Sequence, residues 1–225
     1  MYKTKPCGEC AMPAPGVPLR VLVLNASLKH LPEGSNTQEV ADLVVESMKA
    51  RHANLTVESI RLSDQRLPVG LGFRESDDDE WPAIVGKIKA ADIVLFATPI
   101  WWGGRSSPMQ RVIERMDALD EEYIASGRSA LYNKVAGIVI TGSEDGALST
   151  LGTIMMVLTF MGFTLPPECA AYWVGEVGQP PAKDAEKRRA NEATKHMAMN
   201  LGRNLVFYAQ SLKDRPLVVE APQPA

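Results

Sequence analysis

The sequence predicts an α/β fold in which a doubly wound, five-stranded parallel sheet carries helices on both faces. Residues 19–24 (LRVLVL), 93–97 (IVLFA) and 135–140 (VAGIVI) are continuous apolar, β-branched runs, the pattern of strands buried on both sides. Segments with apolar residues at helical spacing separate these runs, and each run ends in a polar or glycine-bearing loop. Strands alternating with helices imply βαβ units, hence right-handed crossovers and a sheet covered on both faces.

The first run opens the fold. Val40, Leu43, Val44 and Met48 follow at helical spacing, with Ser35, Asn36 and Thr37 in position to cap that helix. Residues 55–62 alternate, which suits a strand at or near an edge, and 63–79 read as a loop with the acidic run Asp77-Asp78-Asp79. A helix is predicted over 81–91 from Ile84, Ile88 and Ala91, and another over 108–119 beyond the second apolar strand. After the third strand come a polar loop at 141–146 and an apolar helix at 147–161. A short last strand at 170–174 and a long helix over 184–212, marked by Ala190, Met197, Leu201, Leu205 and Tyr208, complete the domain. The proline-bearing ends, 1–18 and 213–225, read as tails around one domain over 19–212.

Composition narrows the function. With 225 residues, 45% hydrophobic and 23% charged, the chain can bury a full core and does not resemble a disordered or fibrous sequence. The net charge of −3, with both signs interspersed, leaves no basic stripe for a nucleic acid. The longest apolar stretch, 147–163, is broken by Ser149, Thr150, Gly152, Thr153 and Thr159 and is shorter than the ~20 residues of a membrane span. No secretory h-region precedes the first strand, and Cys7, Cys10 and Cys169 are too few for a disulfide framework, so a cytoplasmic protein is expected.

In an open α/β sheet ligands bind beyond the carboxyl ends of the strands, which directs attention to three loops. The first, residues 25–37, is rich in hydroxyls and ends at a helix start, where free N–H groups suit a phosphate. It has neither a Walker lysine nor a G-x-G-x-x-G pattern, which argues against a nucleoside triphosphate; Ser35, Asn36 and Thr37 either hold a phosphate or only cap the helix. The second, residues 98–107, sets Trp101 and Trp102 beside Gly103 and Gly104, aromatic surface for a planar ligand with flexible backbone at its polar edge. Adjacent residues rarely both point inward, so at least one Trp is expected to be exposed or to face a ligand. The third, Thr141-Gly142-Ser143-Glu144-Asp145-Gly146, offers small residues for close approach.

Ser27 with Ser35-Asn36-Thr37, then Thr98-Pro99-Ile100-Trp101-Trp102-Gly103 leading into Ser107-Pro108-Met109-Gln110-Arg111, resemble the flavodoxin-like NADPH-dependent FMN reductase family and its iron–sulfur flavoprotein relatives. The resemblance spans roughly residues 19–174. It implies a flavodoxin-like fold in which Ser27, Ser35, Asn36 and Thr37 hold the FMN phosphate. It further implies that Pro99, Ile100, Trp101, Trp102 and Gly103 run along the isoalloxazine, and that Thr141, Gly142, Ser143 and Gly146 close its other side. The sequence departs from the family at Asn25-Ala26, where a glycine often precedes the serine, in a longer loop over 28–34, and at Trp101, where Tyr is frequent. The cysteine cluster of the iron–sulfur relatives is absent, and no metal is expected.

Cys7-x-x-Cys10 is followed by proline-rich sequence rather than a helix and is expected to be inert. His30 lies in the first loop, where it could face the phosphate; His52 and His196 are expected on solvated helix faces. The helix containing Met155, Met156, Leu158, Phe160 and Met161 is apolar nearly all round and is either deeply buried or, the favoured reading, the interface of a homodimer or homotetramer. The functional expectation is an oxidoreductase that passes electrons from NADPH or NADH through FMN to a quinone, free flavin or other small acceptor. The alternatives are a flavodoxin-type carrier that docks on redox partners, for which the weak net charge offers little steering, and an interaction protein that has lost the flavin.

Overall fold

A computed structural model describes residues 16–175 and 185–218. Cys7 and Cys10, and most of the expected tails, lie outside the described residues.

Five strands form a parallel sheet in the order β2-β1-β3-β5-β6: β1 (Leu19–Asn25), β2 (Leu55–Arg61), β3 (Ile93–Trp101), β5 (Val135–Gly142) and β6 (Ala170–Val174). This order reverses direction between β1 and β3, the position at which doubly wound sheets open a crevice. A two-residue strand, β4 (Gly104–Arg105), folds back antiparallel on the end of β3.

The continuous apolar runs are explained by two cores. In β1, Leu22 and Leu24 face α2 (Trp81–Ala90), α3 (Ser107–Arg115) and α5 (Ala147–Met161) through Ile84, Ile88, Met109, Val112 and Ile154. Leu19, Val21 and Val23 face α1 (Asn36–Lys49) and α7 (Glu192–Asp214) through Val40, Val44, Met48, Leu201 and Leu205. Each such side chain stabilises the fold by about 1.5–3 kcal/mol relative to exposure, so a central strand cannot be moved by one register step. A Cβ at Gly202 would stand 2.7 Å from Ser47 Cβ and 2.8 Å from the Val44 carbonyl, so α1 and α7 approach this closely only over a glycine.

Several elements differ from the sequence expectation. The strand expected to end at Ala97 continues to Trp101, and that expected to end at Ile140 continues to Gly142, because their ends pair with β4 and β6. An unforeseen short helix, α4 (Asp120–Ser126), buries none of its residues and so leaves no periodic signal. The terminal helix is divided into α6 (Ala185–Ala190) and α7 by Asn191, whose side chain accepts from the Thr194 amide at 2.8 Å and caps α7. His52, expected on a solvated face, is 1% exposed and sits between the Val17 carbonyl and Gln210.

Candidate functional site

The carboxyl ends of β1, β3 and β5 open into a cleft to which all three loops contribute. The first loop is held by side chains that address its backbone. Asn25 Oδ1 accepts from the Ser27 amide at 2.9 Å, and its amide donates to Gln38 Oε1 at 2.8 Å. Arg61, 9% exposed, donates to the Lys29 carbonyl at 2.7 Å, to which Ser63 Oγ also donates at 3.0 Å. Such bonds to loop carbonyls keep a long connection in one conformation.

Ser27, Asn36 and Thr37 line the cleft. Ser35 does not: its Oγ accepts from the Gln38 amide at 3.2 Å and caps α1, which satisfies one of the donors at the helix start. The N–H groups of Asn36 and Thr37, in the first turn, have no acceptor within the helix. The Thr37 hydroxyl shares a 2.7 Å hydrogen bond with that of Thr141. His30 turns from the cleft to Asp64, 2.7 Å away.

Pro99, Ile100 and Trp101 line the cleft from the end of β3. Trp102 and Gly103 do not; they form the turn into β4, with φ of 49° and 74°. Two positive φ values are what a tight hairpin of this hand requires, and Trp in that region stores strain of about 1–3 kcal/mol. Trp101 is half exposed beside the cleft and Trp102 is 93% exposed, so neither enters the core. Ser106 binds the hairpin to the first loop by donating to the Ala26 carbonyl at 2.7 Å.

Thr141, Gly142 and Ser143 line the cleft, and Gly146 does not. At φ 126°, Gly146 lies so close to the hairpin that a Cβ there would stand 2.7–2.8 Å from the Gly103 backbone. Ser149 Oγ donates to the Gly103 carbonyl at 2.9 Å across the same contact. The two glycines therefore join the second and third loops instead of lining the cleft.

Sequence reasoning missed Leu28, Lys29, Glu144, Trp173 and Arg188, which also line the cleft. Trp173 follows from register, since Pro99 pairs with Thr141 and Thr141 with Trp173 in one row across three strands. Leu28, Lys29 and Glu144 stand in two of the loops already singled out. Glu144 Oε1 is buried without a hydrogen-bond partner among the described residues. Nothing near Arg188 in sequence signals its position; it comes from α6, and its Nε and Nη2 donate to Glu39 Oε2 at 3.0 and 2.6 Å. Burial alone would raise the Glu39 carboxyl, but hydrogen bonds and charge from Arg188 and Arg189 hold it below its ordinary value. Among the described residues, no group of three or more His, Cys, Asp or Glu is placed to hold a metal, and no helix is long and apolar enough to cross a membrane.

A family model for NADPH-dependent FMN reductases matches residues 19–176, from the start of β1 to just beyond β6. The chain belongs to the NADPH-dependent FMN reductase family. FMN is the cofactor of this family and NAD(P)H-dependent flavin oxidoreduction its class of chemistry. The chain is 30% identical over 211 residues to the 8-demethyl-8-aminoriboflavin-5′-phosphate synthase of Streptomyces davaonensis, covering 90% of this chain and 81% of that protein. It is 32% identical over 214 residues to a Mycobacterium bovis protein named divalent metal cation transporter MntH; the match covers 91% of this chain but only 31% of that protein, so the chain spans about a third of it. Among solved structures, RosB with bound 8-demethyl-8-formylriboflavin-5′-phosphate superposes with a TM-score of 0.77 at 29% identity, covering 88% of this chain and 82% of RosB. The FMN reductase fold is shared more distantly by an NADH:FMN oxidoreductase (EmoB), with a TM-score of 0.61 at 17% identity over 88% of this chain and 92% of that one.

Proposed function

We propose that this chain binds FMN in the cleft and passes electrons from NADPH or NADH through it to a quinone, a free flavin or another small acceptor. The observation that carries this reading is the convergence of all three loops on one crevice at the β1/β3 reversal, within a chain of this family. The wall suits a flavin phosphate. The amides of Asn36 and Thr37, which have no acceptor within the helix, and the hydroxyl of Ser27 suit the phosphate, while Pro99, Ile100, Trp101 and Trp173 supply apolar surface for the ring. Glu144 Oε1 on the third loop, without a partner among the described residues, is an acceptor that an N–H or hydroxyl of the flavin would satisfy. Ser35, Trp102, Gly103 and Gly146 serve by shaping the loops. When bound, FMN supplies the hydride chemistry; the residues of this chain hold it, orient it and exclude water from one side.

A second copy of the chain is the proposed partner. Leu148, Met156 and Phe160 are 72%, 67% and 92% exposed at four- and eight-residue spacing on α5, a helix without a charged residue. Ala147, Thr150, Ile154 and Leu158 bury the opposite face, so deep burial within one chain does not account for the stripe.

A second functional reading follows from the similarity to the Streptomyces davaonensis synthase and to RosB: the phosphorylated flavin is itself the molecule transformed. One experiment separates the readings. Protein purified without added flavin is expected to show flavin absorbance, to be bleached by NADPH or NADH within seconds under anaerobiosis, and to recover its original flavin when quinone is added. Flavin recovered with an altered mass would favour the second reading. Protein that remains oxidised for minutes with both nicotinamides would overturn the first.

A further inference from the structure

We infer that Arg188 is the residue by which this cleft selects flavins that carry a 5′-phosphate, with Glu39 as the residue that positions it; the inference rests on the flavin reading above. Arg188 is 2% exposed, yet it lines the cleft together with Asn36 and Thr37 at the start of α1. A buried guanidinium is an expensive way to fill space, because well-packed apolar residues in place of a buried ion pair are often as stable or more so. Glu39, one-third exposed, pairs with it, and its place on the cleft wall sets a buried cation where a ligand anion would meet it.

The charges at the start of α1 give that end of the wall its local sign, Glu144 standing on the third loop. Glu39 lies in the first turn of α1, where a carboxylate favours the helix but opposes a second anion at the same end. Arg188 takes Glu39 Oε2 with two nitrogens, and Arg189 takes Oε1 at 3.0 Å. Two cations on one carboxylate leave a local charge of +1 (+2 − 1) where Glu39 alone would leave −1. Lys29, the other cation on the wall, is 42% exposed and paired with Glu33 at 3.0 Å, so its charge is turned largely to solvent. Arg188 is thus the one buried cation among the described residues lining this cleft, and its planar fork, held by Glu39, suits phosphate oxygens. The loop needs no Walker lysine because the cation arrives from α6, about 150 residues later.

The test compares FMN with riboflavin, which lacks the phosphate, by fluorescence quenching on the full-length protein. In Arg188→Gln the dissociation constant for FMN is expected to rise about ten- to a hundredfold, the value of one charge-assisted hydrogen bond, while that for riboflavin changes less than about twofold. Arg188→Lys, which keeps the charge and loses the fork, is expected to fall between the two. If circular dichroism shows the Gln variant unfolded, the FMN-to-riboflavin ratio of the Lys variant decides alone. An unchanged ratio, whether both ligands weaken together or neither weakens, overturns the assignment of Arg188 while leaving the flavin site intact. A parent protein that binds neither flavin overturns the flavin reading itself, and the inference with it.

Discussion

The hydroxyls of Thr37 and Thr141 lie 2.7 Å apart, joining the first turn of α1 to the end of β5 across 104 residues of sequence. Both residues are almost wholly buried. A buried hydroxyl deprived of its partner costs about 1–3 kcal/mol, whereas removing both members with a shape-conserving change is nearly neutral. Thr37→Val and Thr141→Val are each expected to lower stability by that amount in urea unfolding, and the double variant by clearly less than their sum. Additive losses would show that the two hydroxyls do not depend on one another.

Ser35 is assigned to the helix rather than to the phosphate. Ser35→Ala is expected to cost about 1 kcal/mol of stability, as N-cap deletions do, and Ser35→Gly only a few tenths. Neither variant should change the ratio of FMN to riboflavin affinity. A selective loss of FMN would return Ser35 to the ligand.

The contact between the second and third loops predicts unequal effects of two similar substitutions. Gly103→Ala meets only the conformational penalty of a positive φ, since nothing lies within 4 Å of its added Cβ. Gly146→Ala adds a clash with backbone at 2.7–2.8 Å to a larger conformational penalty, since φ 126° lies beyond the left-handed well near which Gly103 sits. Thermal melts are expected to show Gly146→Ala lower than Gly103→Ala, with flavin release accompanying the first. Equal melting temperatures would mean that the loops can separate without cost.

Asp79 and Arg115 form an ion pair whose side chains are both fully buried, 2.6 Å apart, and Arg115 also donates to the Pro68, Gly72 and Phe73 carbonyls. Burial would raise the Asp79 carboxyl, but hydrogen bonds from Arg115 and from the Glu75 and Trp81 amides, with the Arg115 charge, hold it below its ordinary value. A carboxyl whose folded value is depressed contributes stability above its unfolded value, near pH 4, and loses it as pH falls through the folded one. Asp79→Asn is therefore expected to be destabilised by about 3–5 kcal/mol at pH 7, as for other broken buried pairs, with the gap to the parent closing below about pH 4. A constant gap from pH 7 to pH 3 would remove the pair from the acid response.

The α5 stripe is tested by charge. Phe160→Asp, on a side chain 92% exposed, should leave a lone chain's stability within about 0.5 kcal/mol and dissociate a dimer that uses this face. Sedimentation of parent and variant distinguishes the outcomes: a parent that sediments as a single chain would dismiss the second copy.

The sequence by itself determined the layered α/β fold and the three loops at one sheet edge. The runs at 19–24, 93–97 and 135–140 are legible because strands buried on both faces admit almost no polar residue, and hydroxyl- and glycine-rich segments follow them directly. Local pattern records how buried a residue is, not which distant residue it meets. The tertiary structure alone decided that Trp173 shares a row with Pro99 and Thr141, which depends on strand register set by packing of whole faces. It alone separated Ser35, a cap, from Asn36 and Thr37 beside it, since one bond to the Gln38 amide turns the serine away. It alone brought Arg188 to Glu39, because an ion pair across 149 residues follows from the docking of α6 and leaves no trace in the spacing around either residue.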